Sequence, residues 1–136
     1  MGGEVRRRGG PARAYAWFCG VFLLLQGTTT LVARLFPGFD RMFPALLRAT
    51  RMVPVHSILH LATALLAFLA IYLGARATRW FAILFGGFYA GLGLLGLASG
   101  RTLGLGLQAF DHPFHILLGA LGLVAAWRSG RGGSKI

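Results

Sequence analysis

The chain has 136 residues, of which 56% are hydrophobic and only 12% are charged. A soluble domain carries about 25% charged residues, and a chain of this length has too little interior to cover several long apolar blocks, so an ordinary soluble protein is excluded. The net charge of +11 does not indicate a nucleic-acid partner, because most basic residues lie at the chain ends and between apolar blocks, where they meet anionic lipid headgroups.

The N-terminal segment is rich in glycine, arginine and proline, which predicts a disordered basic tail over residues 1–13. A first transmembrane span is predicted over about residues 14–36. Tyr15 and Trp17 lie at its start, where aromatic side chains favour the membrane interface. The apolar stretch is longer than the hydrophobic region of a signal peptide, so we interpret it as an uncleaved anchor. Cys19 lies inside this span and is predicted to be a small buried side chain.

A different pattern follows the first span. Pro37 and Gly38 end the helix, and residues 39–52 then combine apolar residues at helical spacing with three arginines. This segment is too short to cross a bilayer. The pattern predicts a short amphipathic helix, over about 39–52, that lies in the membrane interface.

Three further spans are predicted. In chain order, the remaining segments are a second span over about 54–74, a third over about 80–98, a fourth over about 111–127, and a basic tail over 128–136. Arg76 and Arg79 flank a tight turn between the second and third spans, and a glycine-rich loop over 99–109 precedes the fourth. Pro54 and Pro113 suit the first turns of their helices.

The sequence therefore predicts an all-α membrane protein with a four-helix transmembrane domain over residues 14–127. An even number of spans places both termini on one side of the membrane. Nine basic residues fall on that side: Arg6, Arg7, Arg8, Arg13, Arg76, Arg79, Arg128, Arg131 and Lys135. Five fall on the other: Arg34, Arg41, Arg48, Arg51 and Arg101. This excess predicts cytoplasmic termini in the inner membrane of the cell.

The second and fourth spans resemble each other. His60 with the six residues after it aligns with His115 and its following residues, and each segment comes after a proline. The chain is therefore interpreted as two helical hairpins in tandem. Since both hairpins start on the same side, the internal repeat is parallel.

The same residues carry a resemblance to a known family. The pattern consists of Leu59-His60, the glycine-rich run 86–96, and His115 with Gly119 and Gly122. Over about residues 54–127 the chain resembles the small four-span bacterial membrane proteins of the domain-of-unknown-function family numbered four-three-eight-three. The resemblance implies a four-span fold and a bacterial inner-membrane location, and it implies no activity.

Four histidines and one carboxylate are the titratable groups placed for chemistry. His56 and His60 share one helix face. His112 and His115 share another, next to Asp111. Together they suit a zinc or copper ion, or a haem held by His60 and His115 as a cofactor-binding pair. The favoured interpretation is that no cofactor is bound and that the imidazoles form hydrogen bonds with neighbouring helices.

The third and fourth spans carry glycines at helical spacing, including two GxxxG patterns. Small residues let helix backbones approach closely, either within the bundle or against another subunit. The glycines predicted to support helix packing are Gly87, Gly91, Gly93, Gly96, Gly100, Gly119 and Gly122.

Catalytic motifs are absent from the sequence, which has no paired carboxylates, phosphate-binding loop or dinucleotide fingerprint. The sequence therefore predicts a non-enzymatic protein, first of all a structural or accessory subunit of a larger membrane complex or a homo-oligomer. A metal- or haem-binding four-helix protein is the first alternative. A small transporter or channel is the second, and the lack of charged residues within the spans disfavours it.

Overall fold

The computed structural model describes residues 10–42, 53–100 and 104–131. These residues are all-helical and include no β-strand. The helices are α1 (Pro11–Leu35), α2 (Pro37–Met42), α3 (Pro54–Leu73), α4 (Ala75–Ser99) and α5 (Asp111–Arg131). α1, α3 and α4 are long and apolar enough to cross a membrane. The protein is therefore a multi-pass helical membrane protein, with α5 as the fourth long helix of its bundle.

α1 and α3 pack in opposite directions. Near the start of α1, Arg13 donates from Nη1 to the carbonyl oxygen of Ile71, near the end of α3, at 2.9 Å. At the opposite end, the hydroxyl groups of Thr30 and Ser57 lie 2.8 Å apart. We call the end that holds the start of α1 the Arg13 end, and the end that holds the start of α3 the histidine end.

A single residue reverses the chain between α3 and α4. Gly74 has φ of +105° and donates its N–H to the carbonyl oxygen of Ala70 at 3.1 Å. Glycine adopts this conformation without the steric cost that a side chain would add. The tight turn predicted as far as Arg79 is wrong, because α4 already begins at Ala75. Residues 75–79 contain neither glycine nor proline, so they continue as helix.

α4 and α5 pack backbone against backbone, in opposite directions. A Cβ atom at Gly86 would lie 3.0 Å from the carbonyl oxygen of Gly119, and one at Gly93 would lie 2.6 Å from the carbonyl oxygen of His112. At such separations only glycine lets the helices approach this closely. Because α5 begins beside the end of α4, its first residues lie at the histidine end.

The predicted packing glycines divide into three groups. At four of them, a Cβ atom in place of the glycine hydrogen would lie within 4 Å of an atom of a neighbouring helix: Gly93, Gly96, Gly119 and Gly122. Gly87 and Gly91 have no such atom, so the packing predicted for them is not made within the described residues, and their contact with another subunit stays a prediction. Gly100 has φ of +60° and caps α4 by donating its N–H to the carbonyl oxygen of Gly96 at 2.9 Å.

Several helix ends differ from the sequence-based boundaries. α1 begins at Pro11 and α5 continues to Arg131, so both helices extend into segments predicted to be basic tails. The remainders of those tails, 1–9 and 132–136, lie outside the described residues. The short helix α2 begins at Pro37, slightly before the predicted interfacial helix, most of which also lies outside the described residues.

Small and polar side chains fill the interior of the bundle, while large apolar side chains cover its outside. Leu65 on α3 is 67% exposed and Leu84 on α4 is 62% exposed, whereas Ala64 and Ala82 beside them are fully buried. Such exposure is unfavourable in water, but lipid tails are as apolar as leucine. The apolar outer surface therefore contacts the lipid bilayer. The predicted burial of Cys19 is confirmed.

Candidate metal centre

Three histidines lie together inside the histidine end of the bundle. His56 and His60 come from α3, and His115 comes from α5. One ring nitrogen from each of them lies within 4.8 Å of the other two. The ring centroids are 4.5 Å apart for His56 and His60, 5.9 Å for His56 and His115, and 6.5 Å for His60 and His115. No ring is more than 2% exposed, so the cluster is closed to solvent.

The register of the two helices brings these rings together. Pro54 starts α3, so His60 lies six residues deeper, about 9 Å along the helix axis. Asp111 starts α5, and His115 lies four residues deeper, about 6 Å along that axis. Both helices start at the histidine end, so the two residues reach similar depths. The equivalence of His60 and His115 in the two predicted hairpins therefore corresponds to proximity in the fold.

Several buried ring nitrogens of the cluster have no hydrogen-bond partner among the described residues. Among the described residues, neither ring nitrogen of His60 has a partner, and Nδ1 of His115 also lacks one. His56 lies beside the backbone of Leu105, without a hydrogen bond of ordinary geometry. The predicted cross-helix hydrogen bond of His60 is thus not formed within the described part of the chain. A buried polar group without a partner costs about 1–3 kcal/mol, so this arrangement favours a bound group that satisfies the nitrogens.

Tyr89 of α4 packs against the cluster on the side that faces the Arg13 end of the bundle. Its ring centroid lies 5.2 Å from that of His115, and its hydroxyl donates to Oγ1 of Thr63 at 3.4 Å. The hydroxyl of Thr63 in turn donates to the carbonyl oxygen of Leu59 at 2.8 Å. Sequence reasoning gave Tyr89 no role. In the sequence, Tyr89 stands out as a tyrosine within the glycine-rich run of α4. That position alone does not show which helix the ring faces.

Asp111 and His112, also predicted as metal ligands, lie outside the three-histidine group. Oδ2 of Asp111 accepts from the backbone N–H of Gln108 at 2.7 Å, which closes the turn before α5. The ring of His112 packs against Gly96 of α4, in the space that a side chain there would need.

The donor set suits a single transition-metal ion. Imidazole nitrogen is a good ligand for zinc and copper, and three imidazoles leave the fourth tetrahedral position open. In a tetrahedral zinc site two ligand nitrogens lie about 3.3 Å apart, so the nitrogens within 4.8 Å would close by at most about 1.5 Å. Haem fits less well than a single ion, because its ring would have to separate side chains that now contact one another directly.

Fold and site together define a small multi-pass helical membrane protein with three buried histidines near one end of its bundle. No protein family, curated protein or solved structure matches the chain. The three histidines come from α3 and α5, the helices whose sequences form the predicted internal repeat.

Proposed function

We propose that this protein binds one zinc or copper ion within the membrane through His56, His60 and His115. The observation that carries the proposal is a group of three buried imidazoles whose nitrogens converge within 4.8 Å while those of His60 have no hydrogen-bond partner among the described residues. Coordination takes one nitrogen from each ring and holds α3 to α5. The role is one of metal binding, without catalysis.

The composition of the interior supports binding over coupled transport. The buried polar side chains of the described residues are threonine, serine and histidine, with no Asp, Glu, Lys or Arg among them. Coupled transporters commonly hold carboxylates within the membrane for their ions or protons, and the described interior has no buried carboxylate. Three histidines fill three of the four tetrahedral positions, so a water molecule bound with the ion would take the fourth, whereas a closed structural zinc site has four protein ligands.

The metal content of the purified protein tests this proposal. After chelation and reloading with Zn²⁺ or Cu²⁺, mass spectrometry of the metals is expected to find one ion per chain. His60→Ala and His115→Ala should lose that ion, because each removes a ligand. His112→Ala is the matched control and should keep it, since His112 packs against Gly96 outside the group. The proposal would be overturned if the wild-type protein bound no metal or if His60→Ala retained it. Haem absorbance in the purified wild type would show that the bound group is haem and not a single ion.

The proposal includes four transmembrane spans in the bacterial inner membrane, with both termini on its cytoplasmic side. α5 supports this topology, because it packs on α4 over the distance from the Gly86–Gly119 contact to the Gly93–His112 contact. The nine-to-five distribution of basic residues supports the orientation. Membership of the family that residues 54–127 resemble also belongs to the proposal and adds no activity to it.

A second candidate function, an accessory subunit, is favoured by one observation. Gly87 and Gly91 lie one turn apart on α4, and nothing in the described residues lies within 4 Å of a Cβ at either position. A glycine pair at this spacing lets another transmembrane helix approach closely. A partner subunit or a second copy of the chain could bind this face without disturbing the metal centre.

A further inference from the structure

A groove opens at the Arg13 end of the bundle, far from the histidines. It lies between α1 and α3 and encloses about 560 Å³. Its lining residues are Arg13, Trp17, Phe68, Ile71, Tyr72 and Gly74. Small-molecule sites have volumes of about 300–1,000 Å³, so the groove has room for more than a few water molecules.

A fixed guanidinium group lies at the head of the groove. Nη1 of Arg13 donates to the carbonyl oxygen of Ile71 at 2.9 Å, which holds the side chain across the gap between the two helices. Arg13 has no other hydrogen bond or ion pair with the described residues. A guanidinium has five N–H donors, so several remain for an external acceptor. Phosphate oxygens match that planar group well.

The walls of the groove are aromatic and face the lipid. The rings of Trp17 and Phe68 meet edge to face, with centroids 5.7 Å apart and an interplanar angle of 71°. Trp17 is 49% exposed and Tyr72 is 87% exposed. Tryptophan and tyrosine favour the headgroup level of a membrane. The groove thus combines a cationic head with an apolar wall, which is the complement of an anionic lipid.

The charges around the groove have the same sign. The other described basic residues of the Arg13 end are Arg76, Arg79, Arg128 and Arg131. Asp111, the acid whose side chain the structure describes, belongs to the opposite end. An anionic ligand is therefore attracted to this end without repulsion from a described carboxylate.

We propose that the groove binds one anionic glycerophospholipid. Its phosphate accepts hydrogen bonds from Arg13, and its acyl chain lies along Trp17 and Phe68. This goes beyond general contact with a charged bilayer, because one arginine and one pair of rings define a single site. The site is independent of the three histidines, so it stands or falls separately from the metal proposal.

Native mass spectrometry of the detergent-solubilised protein tests this inference. The protein is titrated with phosphatidylglycerol, which is anionic, and with phosphatidylcholine, which is zwitterionic. We expect one phosphatidylglycerol to bind in preference to phosphatidylcholine. Arg13→Gln should lower the affinity for phosphatidylglycerol about fivefold, the effect of one arginine at an anionic headgroup. Arg128→Gln is the matched control: it removes the same charge from the same end but does not line the groove.

Two further measurements distinguish lipid binding from a folding defect and from a site that binds any anion. Tyr72→Ala changes a side chain that is 87% exposed, so the bundle should keep its thermal stability while lipid affinity falls. Inorganic phosphate, which lacks the acyl chain, should not displace the bound lipid. Equal losses in Arg13→Gln and Arg128→Gln, unchanged affinity in Tyr72→Ala, or displacement by inorganic phosphate would each overturn the inference.

Discussion

His60 occupies the most demanding position in the interior, because both of its ring nitrogens are buried and lack a partner among the described residues. An ion that binds the folded state stabilises it by mass action, by about 2.7 kcal/mol at a hundredfold excess over Kd. We expect added Zn²⁺ or Cu²⁺ to raise the thermal unfolding temperature of the wild type in detergent. His60→Ala should lose this increase.

The control for this metal-linked stability is His112→Ala, which should keep the increase because His112 is outside the three-histidine group. The comparison separates binding at the cluster from binding to other histidines or to the unfolded chain. An equal rise in unfolding temperature for the wild type and His60→Ala would contradict the assignment of His60 as a ligand.

The sequence indicates His60 and His115 as a pair, but for a metal ion it predicts His112 as a ligand together with His115. His112 and His115 are three residues apart, so their directions differ by about 60° around the helix axis. That angle is enough for His112 to face Gly96 on α4 while His115 faces α3. The helix that lies in each of these directions depends on the packing of the whole bundle. The sequence of α5 alone does not indicate that packing.

At the scale of helices, α4 carries two glycine stripes. Gly86 and Gly93 are seven residues apart and face α5, whereas Gly87 and Gly91 lie on the adjoining face. The sequence predicts close packing for α4 because both stripes have helical spacing. It does not identify the stripe that contacts α5, since neighbouring residues are about 100° apart and either face would serve equally well.

Substitutions on the two stripes should therefore differ. Gly93→Ala places a Cβ 2.6 Å from the carbonyl oxygen of His112, so α4 and α5 must move apart. We expect it to lower the free energy of unfolding by about 1–3 kcal/mol, as overpacking does. Gly91→Ala enters open space and should leave the free energy of unfolding of the isolated chain unchanged or raise it by up to about 1 kcal/mol, because alanine favours a helix more than glycine does.

Thermal or denaturant unfolding in mild detergent measures both glycine variants under one condition. Similar losses of stability would contradict the assignment of the two faces. If another helix covers Gly91 in the native membrane, as in the accessory-subunit proposal, Gly91→Ala should instead weaken that assembly while the separated chain loses no stability.

For the whole molecule, composition was sufficient to predict a helical membrane protein, because long apolar segments with few charges have no stable place in water. The residues at which the helices begin and end are harder to predict from the sequence. α3 and α4 are separated by Gly74 alone, and the sequence does not show that a single glycine is enough to reverse the chain. The order of the helices around the bundle brings His115 close to His56 and His60, and that order arises from contacts between distant parts of the chain.

The topology of the whole chain depends on α5, which is less uniformly apolar than the other long helices because Asp111, two histidines and Arg128 lie in it. Its 21 residues span about 31 Å, close to the thickness of a bilayer core. Its contacts with α4 also hold it parallel to a helix apolar enough to cross a membrane. We therefore expect α5 to cross as the fourth span.

Reporter fusions at three positions test this topology. A fusion at Ile136 should report the cytoplasm, where the larger share of basic residues lies. A fusion within 104–110 should report the opposite side, since only α5 separates the two positions. A third fusion at Gly74, the turn between α3 and α4, is the control and should agree with Ile136. Agreement between Ile136 and the 104–110 fusion would mean that α5 does not cross, and a cytoplasmic signal from 104–110 alone would invert the orientation.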